Sequence, residues 1–183
     1  MRVIAGQLGG RKLVAPAGQT TRPTSDRVRE ALFSALGDVT GASVLDLFAG
    51  TGALGIEAIS RGAARVTFVE NARHAITALK QNVHDLGLDD RAKLFAMTVE
   101  RAGVAGSGPF DLVFVDPPYA VLETVPAAIA RLMKAGCLSP GARVVVEHAS
   151  RDAAPALEGL TPRPSRVYGD TSVTVYDLPA ADS

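Results

Sequence analysis

Four consecutive residues, Asp116-Pro117-Pro118-Tyr119, combine groups that can handle an amine on an aromatic ring. They follow an apolar run, Asp111-Leu112-Val113-Phe114-Val115, that reads as a strand. The exocyclic amine of a nucleobase is a poor nucleophile because its lone pair is delocalised into the ring. Two acceptors that bind its two N–H groups favour a tetrahedral nitrogen, whose lone pair can then attack in line. Asp116 offers a carboxylate acceptor and Pro117 its backbone carbonyl. Proline fixes φ and brings no N–H, so the loop is rigid and rich in acceptors. Tyr119 can stack on an extruded base, worth roughly 1–3 kcal/mol. Positioning and fixed electrostatics then supply the rate without a strong base. The plainer alternative is a Pro-Pro turn with a packing tyrosine.

A second motif decides between these readings. Asp46-Leu47-Phe48-Ala49-Gly50-Thr51-Gly52-Ala53-Leu54-Gly55 lies between an apolar strand and a helical stretch, and Gly50, Gly52 and Gly55 fit G-x-G-x-x-G in that context. Glu70 ends the next strand, where a carboxylate can hold the two hydroxyls of a ribose. The unit therefore suits an adenosine-type cofactor. Asp46 separates the candidates. A carboxylate there repels the pyrophosphate of NAD but suits the ammonium of S-adenosylmethionine. An oxidoreductase would also need a hydride-transfer partner such as a placed Tyr-Lys pair or a histidine, and none is evident.

The elements that must position these motifs alternate strand with helix. Strands are expected at 43–48, 65–70, 92–97, 111–116 and 143–147, with helices at 54–61, from the Asn71 cap to 86, and at 121–135. Near-continuous apolar strands belong to a parallel sheet covered on both faces. Right-handed crossovers make it doubly wound, with the ends of strands one and four at one crevice. Residues 165–176 read instead as a hairpin, which adds an antiparallel edge. The expected fold is thus α/β, a class I S-adenosylmethionine-dependent methyltransferase: a Rossmann-like, mostly parallel sheet of seven strands. Residues 1–37 form an extension with a β-hairpin (2–6 and 11–14) and a helix capped by Thr24 or Ser25 and ending near Leu36. The catalytic domain is 38–178, and 179–183 is expected to be a disordered tail.

Composition limits the partners. Apolar residues make up 47% and charged residues 21%, enough to bury a core. A single cysteine, Cys137, excludes an internal disulfide, and three scattered histidines give no metal site. No signal-peptide or membrane-spanning stretch is seen, so a cytoplasmic protein is expected. Net charge is zero, but residues 1–29 carry +5 and the remainder −5, which suggests a polyanion reached through the N-terminus. His74 and Glu147 read as a helix surface and a strand end.

Three further blocks narrow the reading. Arg2-Val3-Ile4-Ala5-Gly6, Gly10-Arg11-Lys12-Leu13 and Arg22-Pro23-Thr24-Ser25-Asp26-Arg27-Val28-Arg29-Glu30-Ala31-Leu32-Phe33, with the two motifs above, resemble the RsmD-type family of 16S rRNA guanine-N2 methyltransferases over residues 1 to about 177. The resemblance implies that Asp46, Phe48, Ala49, Gly50 and Gly52 line the cofactor loop. Glu70 would hold the ribose with Asn71 beside it, and Thr24 would close over the methionine end. Met97 and Thr98 take the adenine-contact position, where related enzymes commonly have a carboxylate or amide. Asp116, Pro117 and Tyr119 would hold the base. Arg11, Lys12, Arg22 and Arg27 would grip RNA phosphates; the local alternative for Arg22 and Arg27 is pairing with Asp26 or Glu30. The implied partner is 16S rRNA in the small ribosomal subunit or an assembly intermediate, met by a monomer without metal. Rival readings are an adenine-N6 or cytosine-N4 methyltransferase acting on DNA or other RNA, and a non-catalytic RNA-binding assembly factor.

Overall fold

The structure, a computed structural model, describes residues 1–15, 26–102, 104 and 106–180, and Tyr119 without its side chain. A single twisted sheet runs β3-β2-β1-β4-β5-β8-β6. Its strands are β1 Ser43–Leu47, β2 Arg65–Glu70, β3 Ala92–Ala96, β4 Phe110–Val115, β5 Leu138–Ala149, β6 Thr161–Pro162, β7 Arg166–Tyr168 and β8 Thr171–Asp177. β1 to β5 are parallel, and β8 returns antiparallel against β5. The helices are α1 Asp26–Leu36, α2 Ala53–Ser60, α3 Arg73–Asp85 and α4 Val125–Lys134.

This is the expected doubly wound fold with one difference at the edge. Eight strands form rather than seven, because β6 and β7 both pair with β8. Pro162 and Pro164 bring no N–H to the ladder, so the outer strand is broken into two short pieces. Other boundaries also shift. The strand expected at 143–147 extends to Leu138–Ala149, held by seven antiparallel partners on β8. The helix expected from Val121 begins at Val125 after a 3-10 turn at Tyr119–Thr124. Pro126 sits in its first turn, the helical position where a missing N–H costs least. Asn71 is not the cap of α3; the cap position falls on Ala72.

Two apolar clusters cover the sheet faces. One joins Leu32, Phe33 and Leu36 of α1 to Val44, Phe68, Leu112 and Phe114 of the sheet; the other centres on Leu45, Val113, Val115 and Ile129. The N-terminal segment belongs to the first cluster through Val3 and Leu13. Its two arms, expected as hairpin strands, pair as a short antiparallel ribbon: Arg2 bridges Lys12, Val3 N–H donates to the Arg11 carbonyl (2.9 Å), Gly10 N–H to the Val3 carbonyl (2.9 Å) and Leu13 N–H to the Met1 carbonyl (3.1 Å). Side chains of α2 and α3 hold the ribbon to the body. The fully buried Glu57 carboxylate accepts the N–H groups of Ile4 (2.7 Å) and Ala5 (3.1 Å) and an Arg61 N–H (2.7 Å). The Asn82 amide accepts from Val14 N–H (2.7 Å) and donates to the carbonyls of Val14 (3.1 Å) and Thr51 (3.0 Å). Buried Arg29 on α1 donates to the Arg2 carbonyl (2.6 Å) and to Asp26 (2.9 Å). No described helix is long and apolar enough to cross a membrane.

Candidate active site

The parallel strands end along one edge of the sheet, and there the two motifs meet. Phe48 follows β1 with φ +59°, a left-handed conformation that costs a bulky residue of order 1–3 kcal/mol. Neighbouring bonds hold the loop in that shape. Ala49 N–H donates to the Val69 carbonyl (3.0 Å), and Gly52 N–H to the Ala49 carbonyl (2.8 Å). The turned backbone sets Phe48 between two adjoining cavities. The larger, about 460 Å³, is lined by Phe48, Gly50, Glu70, Asn71, Asp116, Pro117, Pro118 and Glu147, with Ala72 and, on α3, His74 and Ala75. The smaller, about 130 Å³, shares Phe48, Glu70, Asn71 and Pro118 and adds Met97, Thr98 and Glu100.

The glycines divide their labour. Nothing lies within 4 Å of where a Gly50 Cβ would stand, so that position is open space at the cleft. A Cβ on Gly55 would fall 2.4 Å from the Phe68 ring and 2.7 Å from Val66, so this glycine serves the packing of α2 on β2.

Glu70 does more than end a strand. Its Oε2 accepts Gly50 N–H (2.7 Å), and its Oε1 accepts the N–H groups of Asn71 (2.8 Å) and Ala72 (2.7 Å). A carboxylate here holds the two N–H groups that lead into α3, and its charge suits that end of the helix dipole. Three of its roughly four lone-pair positions are occupied, leaving room for one hydroxyl.

Asp46 is buried beneath the loop and lines neither cavity. Its Oδ2 accepts Gly55 N–H at 2.9 Å. Burial pushes its carboxyl well above the usual carboxylate range, against that hydrogen bond, and the charges of Asp116 and Glu70 push it further. The carboxylates of Glu70, Asp116 and Glu147 concentrate negative charge around the cleft. That field suits a cofactor bearing a sulfonium and an ammonium and opposes a pyrophosphate.

The structure therefore brings Phe48, Gly50, Glu70, Asn71, Asp116 and Pro117 to one cavity, and Met97 and Thr98 to its neighbour. Ala49 and Gly52 support the loop from behind. Thr24 and Arg22 lie outside the described residues, as does the Tyr119 side chain. Arg11, Lys12 and Arg27 are exposed. Arg11 donates to the Asp85 carbonyl at 3.1 Å. Asp26 pairs with Arg2 (3.2 Å) and Arg29 (2.9 Å). Three polar cavity residues were missed. His74 and Glu147 looked like a helix surface and a strand end, yet both line the larger cavity. Glu100 supplies the acid sought near Met97 and Thr98, because a 3-10 turn at Val99–Arg101 folds the chain back. Hydrogen bonds from its own backbone N–H and from Thr98 hold its carboxyl below the usual range. Among the described residues no cluster of His, Cys, Asp and Glu could hold a metal ion.

Sheet order, glycine loop and acidic strand ends define a class I S-adenosylmethionine-dependent methyltransferase. A family model described as "Conserved hypothetical protein 95" matches residues 1–177, and the chain belongs to this family, that of RsmD-type methyltransferases. YlbH of Bacillus subtilis (strain 168), provisionally named an rRNA methyltransferase, is 38% identical over 96% of this chain and 98% of its own. Ribosomal RNA small subunit methyltransferase D of Escherichia coli (strain K12) is 42% identical over 65% of this chain and 60% of its own length. Among solved structures, Escherichia coli yhhF, provisionally named a methyltransferase, superposes with a TM-score of 0.84 at 35% identity over 98% of both chains. An RNA methyltransferase from Salinibacter ruber, solved with S-adenosyl-L-homocysteine, shares the fold at 21% identity, with a TM-score of 0.64 over 88% of this chain and 96% of that one.

Proposed function

We propose that this protein methylates the exocyclic N2 of a guanine in 16S rRNA, using S-adenosylmethionine, within the small ribosomal subunit or an assembly intermediate. Membership of the family makes it an rRNA methyltransferase; the base, the atom and the residue roles are our reading. One observation carries it: Asp116 and Pro117 line the same cavity as the glycine loop and Glu70. An amine held by the two acceptors thus lies beside the cofactor cradle.

The bound cofactor supplies an electrophilic sulfonium methyl. The chain's own residues do the rest. Gly50 leaves the space that the cofactor's approach requires, and Glu70 accepts a ribose hydroxyl. Asn71, Met97 and Thr98 wall the adenosine end, with Glu100 as a further acceptor. Asp46 holds the loop from beneath through Gly55 N–H, and Thr24 closes over the ammonium side. Asp116 and the Pro117 carbonyl bind the two N–H groups of the target amine and turn its lone pair toward the methyl. When the methyl passes from sulfur to nitrogen and leaves a neutral thioether, Asp116 would also stabilise the positive charge on nitrogen until its proton passes to water. Tyr119 stacks on the extruded base. Arg11, Lys12, Arg22 and Arg27 hold RNA phosphates and set register.

The test reacts the protein with tritiated S-adenosylmethionine and small ribosomal subunits from a strain lacking the modification, then maps the labelled nucleotide by mass spectrometry. Label on guanine N2 in 16S rRNA is expected. Label on adenine N6 or cytosine N4 would overturn the base assignment, and binding without transfer would favour an assembly factor.

A further inference from the structure

We propose that Glu147 is the residue that selects guanine, by accepting the N1–H that lies next to the target amine. This rests on the guanine-N2 reading above. Val115 and Val146 are register partners on the parallel strands β4 and β5, so Asp116 and Glu147 follow at the next level of the sheet. Both line the 460 Å³ cavity with Pro117. Glu147 is only partly buried there.

Three acceptors that line one cavity define which base edge can enter. Guanine presents adjacent donors, N1–H and the N2 amine, and so matches an acceptor-only wall. Adenine and cytosine carry a ring-nitrogen acceptor beside their amine, at N1 and N3. A carboxylate facing that lone pair repels it and leaves the buried acceptor unpaired. An amine-binding Asp-Pro-Pro loop alone accepts all three amines. The neighbouring carboxylate is what breaks the tie, in the way buried polar groups reject analogues that lack a partner group.

The experiment compares RNA carrying guanine with the same RNA carrying 2-aminopurine at the mapped nucleotide. The analogue keeps the amine on C2 but has an acceptor at N1. With the unaltered protein, kcat/KM is expected to fall about 100-fold on the analogue. Glu147→Gln can donate an amide N–H to that acceptor, so the preference for guanine is expected to shrink at least tenfold. S-adenosylhomocysteine affinity in the variant checks that the site is intact, and the analogue measured on the unaltered protein does not depend on any variant folding. A preference unchanged within twofold in Glu147→Gln, or equal use of both bases by the unaltered protein, overturns the assignment while guanine-N2 methylation stands. Label mapped to another base overturns the underlying reading instead.

Discussion

Asn82 is where the N-terminal ribbon, α3 and the cofactor loop are tied together, and Asn82→Ala should loosen all three. The side chain is 2% exposed and makes three hydrogen bonds, to Val14 N–H, Val14 carbonyl and Thr51 carbonyl. Each net bond is worth about 1 kcal/mol, and a buried group left unpaired costs about 1–3 kcal/mol. Val14 is exposed and can recover water, whereas Thr51 is buried. The expected loss is about 2–4 kcal/mol. With a urea m-value of about 2–3 kcal/mol/M, the unfolding midpoint should fall by about 1 M. Asn82→Asp keeps the acceptor for Val14 N–H but turns a carboxylate oxygen toward two carbonyls, so it should lose at least as much. Thr51 lies between Gly50 and Gly52, so S-adenosylhomocysteine affinity should weaken in both variants. A midpoint shift under about 0.3 M in Asn82→Ala, with affinity unchanged, would refute this reasoning.

Gly50→Ala and Gly55→Ala should part company. The first enters open space at φ +57° and should cost about 1 kcal/mol of stability while cofactor affinity falls more than tenfold. The second meets Phe68 and Val66 and should destabilise by about 1–3 kcal/mol, as seen in the urea midpoint. Asp46 has a folded pKa above its ordinary 3.8, so the stability of its neutral form is complete below that value and is lost as pH rises through the raised one. Urea midpoints of the cofactor-free protein should therefore fall more with rising pH than those of Asp46→Asn. Replacing Arg11 and Lys12 by Ala should flatten the salt dependence of RNA binding by up to about two units of slope, measured by filter binding across salt concentrations.

The fold and the residues at the centre of the candidate cleft were legible because both rest on local chemistry. Apolar strands ending in Asp46, Glu70 and Asp116 mark the sheet, its order and its reactive edge without reference to distant contacts. Glu147 was not legible as a site residue, because its relevance depends on β5 lying beside β4 in register, a tertiary fact. His74 was hidden for a similar reason: a first-turn position on α3 looks like any solvated helix surface until the cleft is built beside it. Glu100 was missed because a 3-10 turn, not a strand, carries it to the smaller cavity. The anchoring of the N-terminal ribbon on the body was not legible, because its partners there are the side chains of Glu57 and Asn82, 52 to 68 residues away in sequence. The broken outer edge was marked by Pro162 and Pro164, whose missing N–H groups were the available signal.

The account depends on Asp116 handling the amine rather than the cofactor. Single-turnover transfer of tritiated methyl to unmodified small subunits, run beside calorimetric titration with S-adenosylhomocysteine, separates the two. Asp116→Ala should lower the transfer rate at least 1,000-fold, about 4 kcal/mol of transition-state stabilisation, while the affinity stays within about threefold. Transfer within tenfold of the unaltered protein would contradict the mechanism at its centre.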